Sequence, residues 1–260
     1  MTDRRWFLTG LEFASLWDDM RESGLPESFV RTCRIADYRQ YLRAKRAARY
    51  EAVERMGHGF DEFLDVLAKP DIRIIVTGTC VSTRNPSIRL QVVRRGADAY
   101  SVEQILTDES TRGGEFYVET HHILDIGDFI AGRLPAEVPR GRLGSIDLSS
   151  QLAISMEYDY RESPTREPVY DEFSSQAGRF LRSSVDWVGS IRIVQGLAKY
   201  GSGHRAEYVV PWRDLCGDGR YVITYHNGML TAKGVGSVQL VDVINTGTAA
   251  VVGAIREERR

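Results

Sequence analysis

The order of local patterns occurs twice in this chain. Over residues 60–134 a short helical segment leads into alternating strands and then another helix. The same order returns over 165–247, offset by roughly 110 residues. Between them lies a stretch rich in Pro, Gly and Arg. Strands joined by hairpins, with helices before and after them, point to an α+β fold rather than a parallel doubly wound one. The expected architecture is a pseudo-duplicated, quasi-two-fold arrangement of antiparallel sheet-plus-helix units with extra N-terminal helices. It is read as one domain over 1–260, with similar halves at about 1–135 and 165–250 and a linker at 136–164. Two such units side by side offer one broad composite surface.

The individual elements have local causes. Thr9 and Glu12 make a capping-box pattern ahead of Phe13, Leu16, Trp17 and Met20 at helical spacing. A long helix is predicted over 35–56, and Gly57-His58-Gly59 ends it. Phe60, Phe63, Leu64 and Leu67 form a short apolar helix face ending at Lys69-Pro70. Strands are predicted at 71–78, 88–93, 100–106 and 116–120, and a helix at 123–134. The second half reads as a helix over 165–183, strands at 189–194, 206–212 and 221–225, the hairpin signal Asn227-Gly228, a strand at 229–232 and a closing helix ending before Gly247. The tail 257–260 is expected to fray.

Composition excludes several functions. Lys+Arg 34 against Asp+Glu 36 gives a net charge of −2, so no basic field invites nucleic acid. Lys45, Lys69, Lys199 and Lys233 are the only lysines, which reads as the codon bias of a GC-rich genome. No run is expected to reach the roughly 20 apolar residues of a membrane helix, and Met1–Trp6 lacks the pattern of a signal peptide. Cys33, Cys80 and Cys216 are an odd number with no CxxC spacing, which suits a reducing cytoplasm.

Candidate chemistry is thin. His121 and His122 with Asp125 have metal-ligand side chains, but neighbours on a strand point to opposite faces. His204 beside Gly201-Ser202-Gly203 lacks the GxSxG elbow and reads as a hairpin loop. Gly234–Ser237 lacks the Walker lysine and Rossmann spacing, so it reads as an ordinary helix start. Asp214–Arg220 reads as a tight hairpin, and Glu157–Glu162 as a solvated acidic-aromatic linker. No catalytic residue, metal or cofactor is expected.

Two features suit protein binding. Thr79-Cys80-Val81-Ser82-Thr83-Arg84-Asn85-Pro86-Ser87 connects two strands with more residues than a hairpin needs, and sets a small apolar centre beside an arginine. The helix over 165–183 carries more aromatic mass than a short helix requires, Phe173 and Phe180 included.

The order of these elements resembles the EspG family, secretion-associated chaperones of actinobacterial type VII (ESX) systems. The likeness is carried by Leu8-Thr9 through Leu16-Trp17, by Leu64–Pro70 followed by Ile72-Arg73-Ile74, by Phe129–Pro135, and by Asp214 with Gly219-Arg220-Tyr221, a hairpin and a closing helix. It spans nearly the whole chain, and its weight lies in the order of the motifs. The resemblance implies a cytosolic, non-enzymatic chaperone with a quasi-two-fold α/β fold. Such a protein binds the apolar tip of the PPE protein in a PE–PPE heterodimer. By the same resemblance the loop 79–87 contacts the partner through Cys80, Val81, Thr83, Arg84 and Pro86, and the helical region 169–182 contributes Phe173 and Phe180.

Two functional hypotheses follow. In the first, the chain is a cytoplasmic chaperone or adaptor that keeps an α-helical type VII secretion substrate soluble, through the loop and the central surface. The client is a PE–PPE-like heterodimer or another helical hairpin; homodimerisation is compatible with this reading. In the second, it is an enzyme or small-ligand sensor with a pocket between two sheets, using His122, Tyr208 or His226.

Overall fold

The structure is a computed structural model that describes residues 4–19, 25–30, 35–56, 60–82, 87–106, 114–149, 176–199, 201–226 and 228–260. Strand β1 (Arg5–Thr9) runs directly into helix α1 (Gly10–Asp19). The junction is held by the predicted capping box: the Thr9 amide donates to Glu12 Oε2 at 2.7 Å and the Glu12 amide donates to Thr9 Oγ1 at 3.3 Å. Helices α2 (Tyr38–Met56) and α3 (Phe60–Ala68) follow. Next come strands β2 (Ile72–Cys80), β3 (Ser87–Arg95), β4 (Asp98–Ile105) and β5 (Glu115–His121), and helix α4 (Ile126–Arg133). The second half holds β6 (Ser145–Asp147), α5 (Gln176–Arg182), β7 (Val185–Gln195), β8 (Glu207–Leu215), β9 (Arg220–His226), β10 (Met229–Gly234) and α6 (Ser237–Glu258).

All described strands join one ten-stranded antiparallel sheet, in the order β1-β5-β4-β3-β2-β7-β8-β9-β10-β6. Each half contributes a four-stranded meander, and an earlier strand adds to its outer edge. The likeness between the halves is one of element order; lengths differ, with 8 residues in α4 against 22 in α6. Two sheets were expected where there is one. The inner edges of the meanders pair antiparallel from Ile72 opposite Gln195 to Cys80 opposite Trp187, which satisfies the backbone groups both edges would otherwise expose. Residues 136–149, read from sequence as part of the joint, run along β9 and supply β6.

One face of the sheet is covered by α4 and α6, which enclose Ile72, Ile74, Val76, Leu90, Ile191, Ile193, Val210 and Trp212. On the other face the described helices stand at its two ends, and the segment 25–30 reaches Arg89 and Arg192 through Ser28 and Glu27. Helices α1, α2 and α3 pack on Val93, Tyr100, Val102, Phe116 and Val118 at one end. At the opposite end α5 packs through Ala177 and Phe180 onto Tyr221, Ala232 and Ile146. The outer edge of β1 is blunted, because Arg55 of α2 donates to the Phe7 carbonyl and pairs with the buried Glu12.

The closing helix corrects three expectations. It passes through Gly247 rather than stopping before it, because a Cβ there would stand 2.4 Å from the Tyr208 ring: the residue marks a close approach to the sheet, not a helix end. The tail is pinned, with Glu258 accepting from the Lys199 amide at 2.7 Å and Arg259 paired with Asp71 at 2.7 Å. Finally, this helix is long and apolar enough by length and composition to cross a membrane. Here its stripe Leu240, Ile244, Gly247, Val251 and Ile255 is buried against the sheet and α4.

At the centre of the sheet Gly78 and Gly189 are register partners, and the Trp212 ring lies over both. A Cβ on Gly189 would be 2.0 Å from the Thr77 carbonyl oxygen and 2.6 Å from Trp212. Gly189→Ala is therefore expected to lower the unfolding free energy by about 1–3 kcal/mol through overpacking. Gly253→Ala, on the open side of α6 with nothing within 4 Å, should raise it by about 0.5–1 kcal/mol. Urea titration of the two variants checks both signs.

Candidate functional site

A buried ion pair fixes the second half of the sheet. Arg220 grips Asp214 through Nε–Oδ1 and Nη2–Oδ2 contacts of 2.8 Å each, and both side chains are almost wholly enclosed. Its guanidinium also donates to the Pro135 carbonyl at 3.0 Å and lies 5.4 Å from the Trp212 ring centre. The backbone of Arg220 donates to Pro139 and accepts from Gly141 and Val235. The chain leaving α4 is thus laced to β9. Tyr221 completes the lacing: its hydroxyl accepts from the Leu143 amide at 2.8 Å and donates to Asp218. Burial, then the bond to Asp218, push the Tyr221 phenol up to about 12.

Beside this pair, at the ends of β2 and β7, lies a cleft of about 840 Å³. Its walls include Cys80, Glu137, Asp186, Trp187, Arg142 and Asp218. Glu137 adopts φ +61°, an unusual conformation for a side chain of its size. The nearby Cys216 thiol donates to Asp186 at 3.0 Å, and that bond, with burial, raises its pKa, so the thiol is held protonated rather than primed as a nucleophile. No group of three or more His, Cys, Asp or Glu side chains among the described residues could hold a metal ion.

The pocket proposed between two sheets has no place in a single sheet, and its residues do not converge. His122 follows β5, Tyr208 packs half-buried against α6, and His226 ends β9, far away in strand order. His121 bonds Ser101 at 2.8 Å and rests on the Phe129 ring.

The feature suited to a large partner is the middle of the second sheet face, over which no described helix packs. The side chains there come from alternate positions of β2, β7 and β8. Thr77 and Ser190 meet at 3.3 Å, flanked by Thr79, Val188, Val209 and Pro211. Val188 and Val209 are 37% and 43% exposed, while their strand neighbours Trp212, Val210 and Ile191 are buried on the opposite face. Three strands at about 4.8 Å spacing give a floor about 10 Å wide, the breadth of one α-helix. Pro211 explains part of the opening: it cannot donate to a ladder, and the β8–β9 pairing begins only at Trp212.

The predicted contact residues border this strip unevenly. Val81 is 60% exposed at the end of β2, its amide bonded to the Asp186 carbonyl. Cys80 is buried, lines the cleft and lies 3.3 Å from the Ser82 hydroxyl. Thr83, Arg84, Pro86 and Phe173 lie outside the described residues, as do Gly57–Gly59 and Glu157–Glu162. Phe180 has no exposed surface; it packs on Tyr221 and lies 5.2 Å from the Arg213 guanidinium, so it supports the sheet face from within, and Leu181 is its exposed neighbour. Sequence reading missed Val188, Val209 and Pro211, although the alternation in Glu207–Leu215 separates Val209 and Pro211 from Val210 and Trp212.

A model of the EspG family matches residues 9–244. Among solved structures the chain is similar to the type VII secretion system chaperone EspG5 of Mycobacterium tuberculosis, determined in complex with a PE25–PPE41 dimer. The identity is 13%, 96% of each chain is covered and the TM-score is 0.61, so the likeness is one of fold. No curated protein sequence matches.

Breaking the ion pair from one side leaves a buried charge unpaired, so Arg220→Met should cost about 3–5 kcal/mol of stability. Arg220→Lys should recover only part, since an ammonium cannot reproduce the fork. Tyr221→Phe should cost about 1 kcal/mol near neutral pH. Because the folded phenol titrates above its ordinary value of 10, its contribution is full below pH 10 and is lost as pH rises towards about 12. The difference between wild type and Tyr221→Phe should shrink over that interval in denaturation curves measured as a function of pH.

Proposed function

The chain belongs to the EspG family, and on that premise we propose that it is a cytoplasmic chaperone of type VII secretion that binds a PE–PPE-like heterodimer and keeps it soluble before export. The observation that carries this reading is the uncovered strip of sheet around Val188, Val209 and Pro211. An apolar helical tip exposed to water invites aggregation, and a flat, partly apolar floor one helix wide covers it without any chemistry. The connection Cys80, Val81, Thr83, Arg84 and Pro86 is assigned as a second contact, and Val81, exposed at the end of β2, supports it. The reading is non-enzymatic: beside the cleft the Cys216 thiol is held protonated, and in its wall Asp218 is engaged by Arg142 and Tyr221.

The test is co-expression with PE–PPE-type proteins from the same genome, followed by affinity purification on a tag. A stoichiometric complex with the dimer is expected, with the dimer insoluble when produced without this chain. If every dimer is soluble alone and none co-purifies, the reading fails. Val188→Asp with Val209→Asp should weaken the complex by about tenfold or more, because a buried carboxylate without a partner is costly at an interface. Both sites face solvent in the free protein, so Tm should move by no more than about 2 °C. Changing Val81, Arg84 and Pro86 together to serine should also weaken the complex; unchanged affinity would remove the loop from the contact.

A further inference from the structure

At the margin of the open strip Arg213 has no acid partner among the described residues. Arg213 stands on β8 opposite Val188, at the end of the strip nearest Val81. Its guanidinium is laid over Phe180, and its Nη1 is buried with no hydrogen-bond partner. Arg220 is paired with Asp214, Arg192 with Glu207 and Glu27, and Arg133 with Glu103 and Glu119, while Arg73 and Arg89 donate to the Leu67 and Ser28 carbonyls. Burial lowers the Arg213 pKa, and no neighbouring acid pulls it back up, in contrast to Arg192, whose glutamates raise it. The group nonetheless stays cationic.

A guanidinium pinned against an aromatic ring is preorganised, and it flanks the apolar side chains Val188, Pro211 and Val209. Covering the strip with a helix would remove the remaining water around it and strengthen any ion pair formed there. We propose that Arg213 is a specificity residue that accepts an Asp or Glu carboxylate at the margin of the client's apolar helical tip. The preferred client is then an apolar helix end bearing an acid on one flank; an entirely apolar or a basic tip is disfavoured. This inference rests on the chaperone reading above and adds the chemistry by which one client is told from another.

The test uses the full chain and a recombinant PE–PPE heterodimer that co-purifies with the wild type. Affinity is measured at low and moderate salt for wild type, Arg213→Met and Arg213→Lys. Each carboxylate at the tip of the PPE protein is also changed singly to its amide. Arg213→Met should weaken binding about tenfold or more and flatten its salt dependence, and Arg213→Lys should restore only part. One tip carboxylate should reproduce the loss when amidated and add nothing further when combined with Arg213→Met. Wild-type affinity in Arg213→Met, or a loss coupled to no tip carboxylate, would overturn the proposal while leaving the chaperone reading intact. A wild-type chain that binds no PE–PPE dimer would overturn both. If Arg213→Met lowers Tm sharply, the amide scan against the wild type and Arg213→Lys decides the question alone.

Discussion

The pairing of β2 with β7 is the contact on which the rest of the molecule depends. Each meander alone would end in a long strand with an open ladder, an aggregation hazard in water. Joined from Ile72–Gln195 to Cys80–Trp187, they form one sheet with protected centres and short or capped outer edges. The opposed glycines Gly78 and Gly189 let Trp212 lie flat across the seam. Trp212 in turn lies beneath Arg220, whose grip on Asp214 ties down the chain returning from α4. Seam, tryptophan and ion pair are consecutive parts of one packed unit. The same seam leaves Thr77, Val188 and Ser190 facing outward with none of the described helices above them.

Much of this fold was legible in the sequence because its signals are local. Thr9 and Glu12 announced α1, Gly96 and Gly228 take the positive φ their turns require, and the Ile/Val alternation located most strands. What sequence concealed was non-local. Nothing in Ile72–Cys80 says that its second neighbour lies more than a hundred residues away, so one sheet was read as two. Gly247 was read as a helix end, although its true constraint is the Tyr208 ring it touches. Phe180 shows the same limit in the candidate site: an aromatic on an amphipathic helix carries no mark of which side the sheet will take. Val188 and Val209 alternate correctly, but whether a strand's second face is covered depends on helices elsewhere in the chain.

The distribution of cover is informative about function. Helices α4 and α6 close one face over the seam; on the other, α1–α3 and α5 stand at opposite ends and leave a floor between them. A protein fold usually buries such a surface, so leaving β-branched side chains in water across the middle of a large sheet points to a partner that supplies the missing layer. The chain's membership of the EspG family and its fold likeness to EspG5 place this sheet in a known architecture. The arginine beside the floor would let a mainly apolar contact remain selective.

The most direct measurement places a photo-crosslinking amino acid at Val209, on the floor, and separately at Val238, 71% exposed on α6 across the sheet. Each variant is purified with its PE–PPE-type client and irradiated. A cross-link from position 209 to the tip of the PPE protein, with none from 238, is the predicted result. A cross-link from 238 alone would place the client on the helical face and contradict the claim that the open sheet is the chaperone surface.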